Sequence, residues 1–126
     1  MGRQVLENLQ NCIYFAKEEL GEGLITTDIY STEGLPVVDG YNSNEKATAL
    51  FANITEHIRK AVNNSTMSNL GDYYIINLQQ GTLDVVIVGD NFQWKLLINT
   101  NKIKLGYLFS IFLPEAIKRF REALNN

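Results

Sequence analysis

The chain has 126 residues, of which 45% are hydrophobic and 20% charged, and its formal net charge is −3. A chain of this length fits one domain, and its composition is typical of a globular domain rather than a disordered segment. The negative charge argues against a general nucleic-acid binder, which usually carries a basic excess. We therefore expect a single domain over residues 1–126 that binds no nucleic acid.

The only cysteine, Cys12, excludes an internal disulfide and a metal site built from several cysteines. It lies on the apolar face of a predicted helix, which is typical of a buried, unreactive thiol. No apolar stretch of the sequence reaches the roughly 20 residues that span a bilayer, and the N-terminus does not resemble a secretory signal. We expect a cytoplasmic protein that does not enter the membrane.

The first part of the chain predicts a helix followed by a hairpin. Apolar residues at helical spacing predict a helix over residues 3–20, and glycines directly after it end the helix. Alternation with many β-branched residues predicts a strand at residues 24–30. Gly34 then makes a turn into a short second strand, residues 35–38. Pro36 cannot donate a backbone hydrogen bond, so this strand belongs at a sheet edge.

The second helix is predicted to begin at Asn42 or Ser43, with Glu45 three residues after Asn42 as in a capping box. Large apolar residues at helical spacing predict its core face, and a neighbouring stripe of small side chains would allow another helix to approach. The predicted core face consists of Ala47, Leu50, Phe51, Ile54, Ile58, Ala61 and Val62, and the stripe of Thr48, Ala52, Thr55 and Arg59.

Three further strands and a helix complete the chain. The strands are predicted at residues 73–78, 83–88 and 92–99, and the last of them has the pattern of a strand covered mainly on one side. The final helix, residues 105–124, contains Pro114, which predicts a kink or a fresh helix start. The predicted fold class is α+β, a single antiparallel five-stranded sheet with three helices in the order αββαβββα.

This order of elements and several short motifs resemble the Roadblock family, which includes dynein light chains and small-GTPase regulators of prokaryotes and has a Roadblock/profilin-like fold. The similarity spans nearly the whole chain, although each motif is short and mostly structural. The matching motifs are residues 23–25 and 33–36 for the opening hairpin, 47–52 for the central helix, 83–90 for the central strand and 105–106 for the entry to the last helix. Pro114 departs from that family's uninterrupted final helix.

The resemblance implies a homodimer, or a heterodimer with a related Roadblock subunit, without catalytic residues, cofactor or metal. In that family two protomers join their sheets through the strand after the central helix and pair their central helices. Residues 73–78, whose apolar side chains suit an edge that needs a partner, would be the pairing strand. An interior strand of a monomeric sheet fits the pattern equally well. The implied interface residues are Thr48, Ala52, Thr55 and Arg59 on the helix and Tyr73, Ile75 and Asn77 on the strand.

Candidate catalytic residues are few. His57 lies away from the middle of the apolar face of its helix, and neither Thr55 nor Glu56 points in the same direction, so no nucleophile–base pair is apparent. We interpret it as a boundary or surface histidine. Arg59 would stabilise phosphoryl-transfer charge if it were supplied to a GTPase, although an ordinary interface or surface arginine is the simpler interpretation.

Two functions remain open at this point. The first, which depends on the resemblance, is a non-enzymatic, dimeric regulatory or scaffold protein that binds a small Ras-like GTPase. The alternative is a PAS- or GAF-like sensor, which holds a small molecule between its sheet and helices and needs polar groups converging in a pocket. Few polar residues point into the predicted core, which favours the first function.

Overall fold

Helices cover both faces of one antiparallel sheet in a computed structural model that describes residues 2–125. The four strands lie side by side in the order β1-β4-β3-β2. Helices α1 and α4 cover one face, and α2 covers the other. In chain order the elements are α1 (Arg3–Leu20), a 3₁₀ turn (Gly21–Gly23), β1 (Leu24–Ser31), α2 (Glu45–Asn63), β2 (Tyr73–Leu78), β3 (Thr82–Val88), β4 (Phe92–Asn99), α3 (Leu105–Tyr107), a π-helical turn (Leu108–Phe112) and α4 (Leu113–Leu124).

The prediction of a fifth strand at residues 35–38 is wrong. This segment follows the outer edge of β1 as an irregular chain that touches it at intervals: Ser31 N donates to Leu35 O at 2.9 Å, and Val37 N donates to Ile29 O at 3.1 Å. Because Pro36 has no N–H, a continuous ladder cannot form along it. The described chain therefore has a four-stranded sheet whose β1 edge is covered by this segment.

The larger core lies between the sheet and the α1/α4 face. The predicted apolar face of α1 is confirmed, because Leu9, Cys12 and Ile13 are all buried there. Trp94 on β4 is fully buried in the same core, and its indole Nε1 donates to Thr27 Oγ1 at 2.8 Å. Each large apolar side chain buried in this layer contributes roughly 1.5–3 kcal/mol, so this face supplies most of the apolar contact that holds the fold together.

Helix α2 begins slightly later than the sequence predicts. Its N-cap is Asn44, whose Oδ1 accepts a hydrogen bond from Ala47 N at 3.2 Å. Asn42 instead has a φ of 50° and donates its side-chain amide to Ile25 O at 3.0 Å. The predicted capping box between Asn42 and Glu45 is therefore wrong, because Asn42 holds the preceding loop against β1.

Pro114 causes no break in the helical path: α3, the π-helical turn and α4 follow one another without a gap, and the proline lies where α4 begins. It lies in the first turn of α4, where the missing N–H is tolerated. The preceding turn is π-helical, and Leu113 N donates to Leu108 O five residues earlier. This wider turn allows the chain to pass the proline without leaving the helical path. None of the described helices is both long enough and apolar enough to cross a membrane.

We predict that Cys12 does not react with thiol reagents in the folded protein. Burial raises the pKa of its thiol to about 12, so at pH 8 only about one molecule in ten thousand carries the thiolate. Mass spectrometry after treatment with iodoacetamide should find no adduct in buffer and one adduct in guanidinium chloride. The variant Ser110→Cys, at an exposed position of the π-helical turn, should gain one adduct in buffer. Rapid alkylation of Cys12 in the native protein would contradict the described packing of α1.

Candidate functional site

Strand β2 lies at one edge of the sheet, with β3 as its single strand neighbour within residues 2–125. The register with β3 runs from Tyr73 opposite Ile87 to Leu78 opposite Thr82. Alternate backbone N–H and C=O groups of β2 therefore point away from the sheet, where another strand can pair with them. The alternative of an interior strand is wrong for the single chain.

The side chains of β2 alternate between the two faces of the sheet. Ile75 packs against the α1/α4 core, and Tyr73 and Asn77 on the same face are exposed, Tyr73 by 41%. Tyr74 and Ile76 pack on the α2 side instead. The three predicted interface residues of β2 thus lie on the face opposite to α2.

The stripe of small residues on α2 faces the chain's own sheet. Thr48, Ala52 and Thr55 are at most 3% exposed. Thr48 Oγ1 donates to Gly34 O at 2.9 Å, and Thr55 Oγ1 lies 2.6 Å from the hydroxyl of Tyr74. In the single chain these three residues are therefore not available to another helix: they are buried, and the two threonine hydroxyls have partners in Gly34, in the turn after β1, and Tyr74 on β2.

The turn before α2 also lies very close to the backbone of this helix. Gly34 has a φ of 86°, and a Cβ added to it would lie 2.7 Å from the Cα of Ala49. A side chain at position 34 would therefore both strain the turn and push α2 away. The predicted turn at Gly34 is confirmed, and it serves as a contact surface for the helix.

A second side of α2 is apolar and faces outward. Of the predicted core face only Phe51 is buried, so the assignment of faces on this helix is wrong. Leu50 is 56% exposed, and the residues in line with it at helical spacing, Ala47, Ile54, Ile58 and Ala61, are partly or fully exposed. We call this surface the outer ridge. The outer ridge consists of Ala47, Leu50, Ile54, Ile58 and Ala61.

Arg59 is held by its own chain at the end of the small-residue stripe. Its guanidinium Nη2 donates to Gly89 O at 3.3 Å, and its Nε lies 3.9 Å from a carboxylate oxygen of Glu56. The side chain is 26% exposed, so it belongs to the boundary between α2 and the turn after β3. These contacts fit a structural arginine, the simpler of the two interpretations.

Beneath α2 the sheet carries a cluster of buried polar residues that sequence analysis missed. We call Asp28, Tyr30, Asp84, Gln93 and Lys95 the polar cluster; all are at most 4% exposed. Across β1 and β4, Asp28 lies opposite Lys95 and Tyr30 opposite Gln93. Lys95 Nζ lies 2.9 Å from Asp84 Oδ1 and 5.0 Å from the ring centroid of Phe51. The prediction that the last strand is covered mainly on one side is therefore wrong.

Several atoms of the polar cluster have no hydrogen-bond partner among the described residues. They are Asp28 Oδ1, the hydroxyl of Tyr30 and both side-chain amide atoms of Gln93. The contact of Asp84 Oδ1 with Lys95 is a charge pair rather than an aligned hydrogen bond. Burial raises the pKa of the Asp84 carboxyl, although the neighbouring Lys95 ammonium partly offsets this rise. Burial likewise raises the pKa of Tyr30. The expectation that few polar residues enter the core is wrong.

Other chemically active groups are dispersed. His57 is exposed on α2, as expected for a boundary or surface histidine. Across residues 2–125, no group of three or more His, Cys, Asp or Glu side chains is placed to hold a metal ion. A surface recess of about 410 Å³ lies between α4 and the β3–β4 turn, with Ile117 and Phe120 in its wall. The ion pair between Arg121 and Asp72 lies at the same recess.

Comparison with solved structures identifies the fold. No protein-family model and no curated protein matches the sequence. The gliding protein MglB of Thermus thermophilus superposes with a TM-score of 0.76 at 9% identity, over 98% of this chain and 93% of that chain. MglB of Myxococcus xanthus gives a TM-score of 0.80 at 6% identity, over 99% and 93%. A Roadblock/LC7 domain from Streptomyces avermitilis gives 0.71 at 13% identity, over 91% and 96%.

The chain therefore has the Roadblock fold along nearly its whole length. The family resemblance seen in the sequence is confirmed at the level of the fold. At these identities the backbone path is shared while most side chains differ, so the interface residues must be inferred from this chain itself.

We predict that the Thr55–Tyr74 hydrogen bond fastens α2 to β2 within one chain. Thr55→Val should lower the free energy of unfolding by about 1 kcal/mol, because a part-buried hydrogen bond is lost. Tyr74→Phe should have a similar effect, and the double variant should cost little more than either alone. Urea denaturation measures all three variants.

Thr66→Val, at an exposed position after α2, serves as the control and should change the free energy of unfolding by less than about 0.5 kcal/mol. Additive effects of the two single substitutions would contradict the bond.

Proposed function

We propose that the chain is a non-enzymatic regulatory subunit that acts as a dimer in the cytoplasm and binds a small Ras-like GTPase. The observation that carries the dimer is the pairing of two unsatisfied surfaces, the open edge of β2 and the outer ridge of α2. An open strand edge and an exposed apolar helix side are both liabilities for an isolated chain. A single partner that covers the β2 edge and the outer ridge would remove both liabilities.

The two surfaces lie close enough for one partner to reach them. Ile54 of the outer ridge and the β2 residues Tyr74 and Ile76 all pack against the same small apolar cluster around Phe51. A second copy that adds its β2 antiparallel to this β2 would continue the sheet across a two-fold axis. Its own α2 would then lie beside this one, with the two outer ridges in contact. A related Roadblock subunit with the same surfaces could take the place of the second copy.

The proposed interface therefore differs from the set implied by the resemblance. The backbone of β2 remains the proposed pairing strand. The side chains of Tyr73, Ile75 and Asn77 lie along it on the face away from α2. On the helix, the outer ridge replaces the small-residue stripe, because that stripe is already buried against its own sheet.

The GTPase partner is proposed from the resemblance to the Roadblock family, which includes small-GTPase regulators. The fold shared with the gliding protein MglB supports this proposal at the level of the fold. A regulatory role also fits a chain whose single histidine is exposed and lies on a helix without a catalytic partner in the sequence.

We predict that Leu50→Asp abolishes the dimer while the fold persists. A carboxylate in the middle of the outer ridge would have to be desolvated in the helix pair, whereas it stays hydrated in the monomer because Leu50 is already 56% exposed. Sedimentation velocity at micromolar concentrations should give twice the mass of 14.3 kDa for the natural chain and the single mass for the variant.

Asn53→Asp is the matched control, because it adds the same carboxylate to an exposed position of the same helix away from the outer ridge. This variant should remain dimeric, and both variants should keep the far-UV circular dichroism of the natural chain. A natural chain that sediments as a monomer at these concentrations would refute the dimer.

Binding of a GTPase is tested separately by affinity capture. Immobilised chain should retain a purified Ras-like GTPase from the same genome, and retention should differ between the GDP-loaded form and a form loaded with a non-hydrolysable GTP analogue. The Asn53→Asp protein should behave like the natural chain. Equal, background-level recovery of both nucleotide forms across every Ras-like GTPase of that genome would refute this half of the proposal.

A further inference from the structure

The attachment of α2 to the sheet is thin compared with that of the opposite layer. The apolar contact beneath α2 is a cluster of four buried residues, whereas the α1/α4 side has twenty. Three polar contacts add to it: Thr48 to Gly34, Thr55 to Tyr74 and Arg59 to Gly89. A layer held by so few contacts is the part of a fold that opens most readily.

The surface that α2 covers also opposes closure. Tyr30 and Gln93 of the polar cluster are fully buried, yet the hydroxyl of Tyr30 and both amide atoms of Gln93 find no partner in the described chain. Polar atoms buried in this way lose hydration without gaining a hydrogen bond. When α2 lifts away, water reaches these atoms and the loss is recovered.

The charged residues of the polar cluster also favour the opening of α2. Asp28 and Asp84 are both buried, and Lys95, the one buried cation among residues 2–125, forms its ion pair with Asp84. Asp28 lies opposite Lys95 on the neighbouring strand, and its Oδ1 has no hydrogen-bond partner among residues 2–125. The buried Asp84–Lys95 pair and the unpartnered oxygen of Asp28 are therefore polar groups that hydration would stabilise.

The outer side of the same helix offers contacts that would favour the closed position of α2. The outer ridge exposes apolar side chains that a second copy would cover, so a partner that binds α2 in place adds contacts which the closed helix alone lacks. We propose that α2 is a hinged layer: in the single chain it opens from the sheet as one unit and hydrates the polar cluster, and the dimer partner holds it closed. This inference rests on the proposed dimer, because it assigns the closing contact to the second copy.

Hydrogen exchange followed by mass spectrometry tests the opening on the full chain. In samples dilute enough to be monomeric, or in the Leu50→Asp variant, amides of α2 should exchange at least about tenfold faster than those of β3 and β4, because a 19-residue helix detached from the sheet is marginally stable in water and frays. In the dimer, α2 should slow by more than β3 and β4 do. Equal protection of α2, β3 and β4 in the monomer would mean that the chain opens only as a whole, and this result would overturn the proposal.

The role of the polar cluster is tested by replacing its ion pair with apolar residues of similar volume. Asp84→Leu combined with Lys95→Met should slow exchange of α2 in the monomer by about tenfold, because closure no longer dehydrates charges. The matched control is Glu115→Leu combined with Arg119→Met, which removes an exposed ion pair on α4 and should leave α2 unchanged. Unchanged exchange of α2 in the first variant would show that the polar cluster does not drive opening.

Failure of the dimer and failure of the hinged layer give different results. Sedimentation of the same samples reports the dimer independently of exchange. If the natural chain stays monomeric but amides of its α2 exchange faster than those of β3 and β4, the opening of α2 stands. The proposal that a second copy holds α2 closed is then refuted. If the chain dimerises but α2 is as protected as the central strands in monomeric Leu50→Asp, the dimer stands and the hinged layer is refuted.

Discussion

Alternation along β3 and β4 gives the sheet one apolar face and one face on which polar and apolar residues are mixed. Val85, Ile87, Trp94 and Leu96 point one way and pack under α1 and α4, whereas Asp84, Gln93 and Lys95 point the other way and lie under α2. Because side chains in a strand alternate with a period of two, a shift of one residue in the register would exchange the two sets. The two helical layers therefore differ: one is held by extensive apolar packing, and the other covers buried polar groups together with a small apolar cluster.

Helix α2 contacts the sheet with one side and faces outward with the other. Its small residues and Phe51 contact the sheet, whereas other apolar residues, Leu50 above all, face outward. Small side chains suit this contact because they allow the helix to sit low over the sheet, as the approach of Ala49 to Gly34 illustrates. The larger residues are then free for association, so the same helix serves both the fold and the proposed dimer.

Elements with a clear period could be predicted from the sequence, and contacts between elements could not. The helix at 3–20 and the strand at 73–78 follow from local spacing alone, and the structure has both. Periodicity gives the apolar sides of α2 but not which side meets the sheet, since Thr48 and Thr55 look polar until their hydroxyls find partners. The polar cluster was invisible for the same reason. Its members come from three strands, and each alone resembles a residue on a solvated face.

The irregular segment that runs beside β1 determines how far assembly can proceed. Hydrogen bonds to Leu35, to Ile29 and between Thr27 and Tyr41 occupy the outer edge of that strand. The opposite edge, at β2, is left open in the described chain. A sheet that can grow from both sides adds copies without limit and makes a fibre. In the proposed dimer the sheet grows from one side and stops after a single addition, while Pro36 and the loop around it cover the second edge.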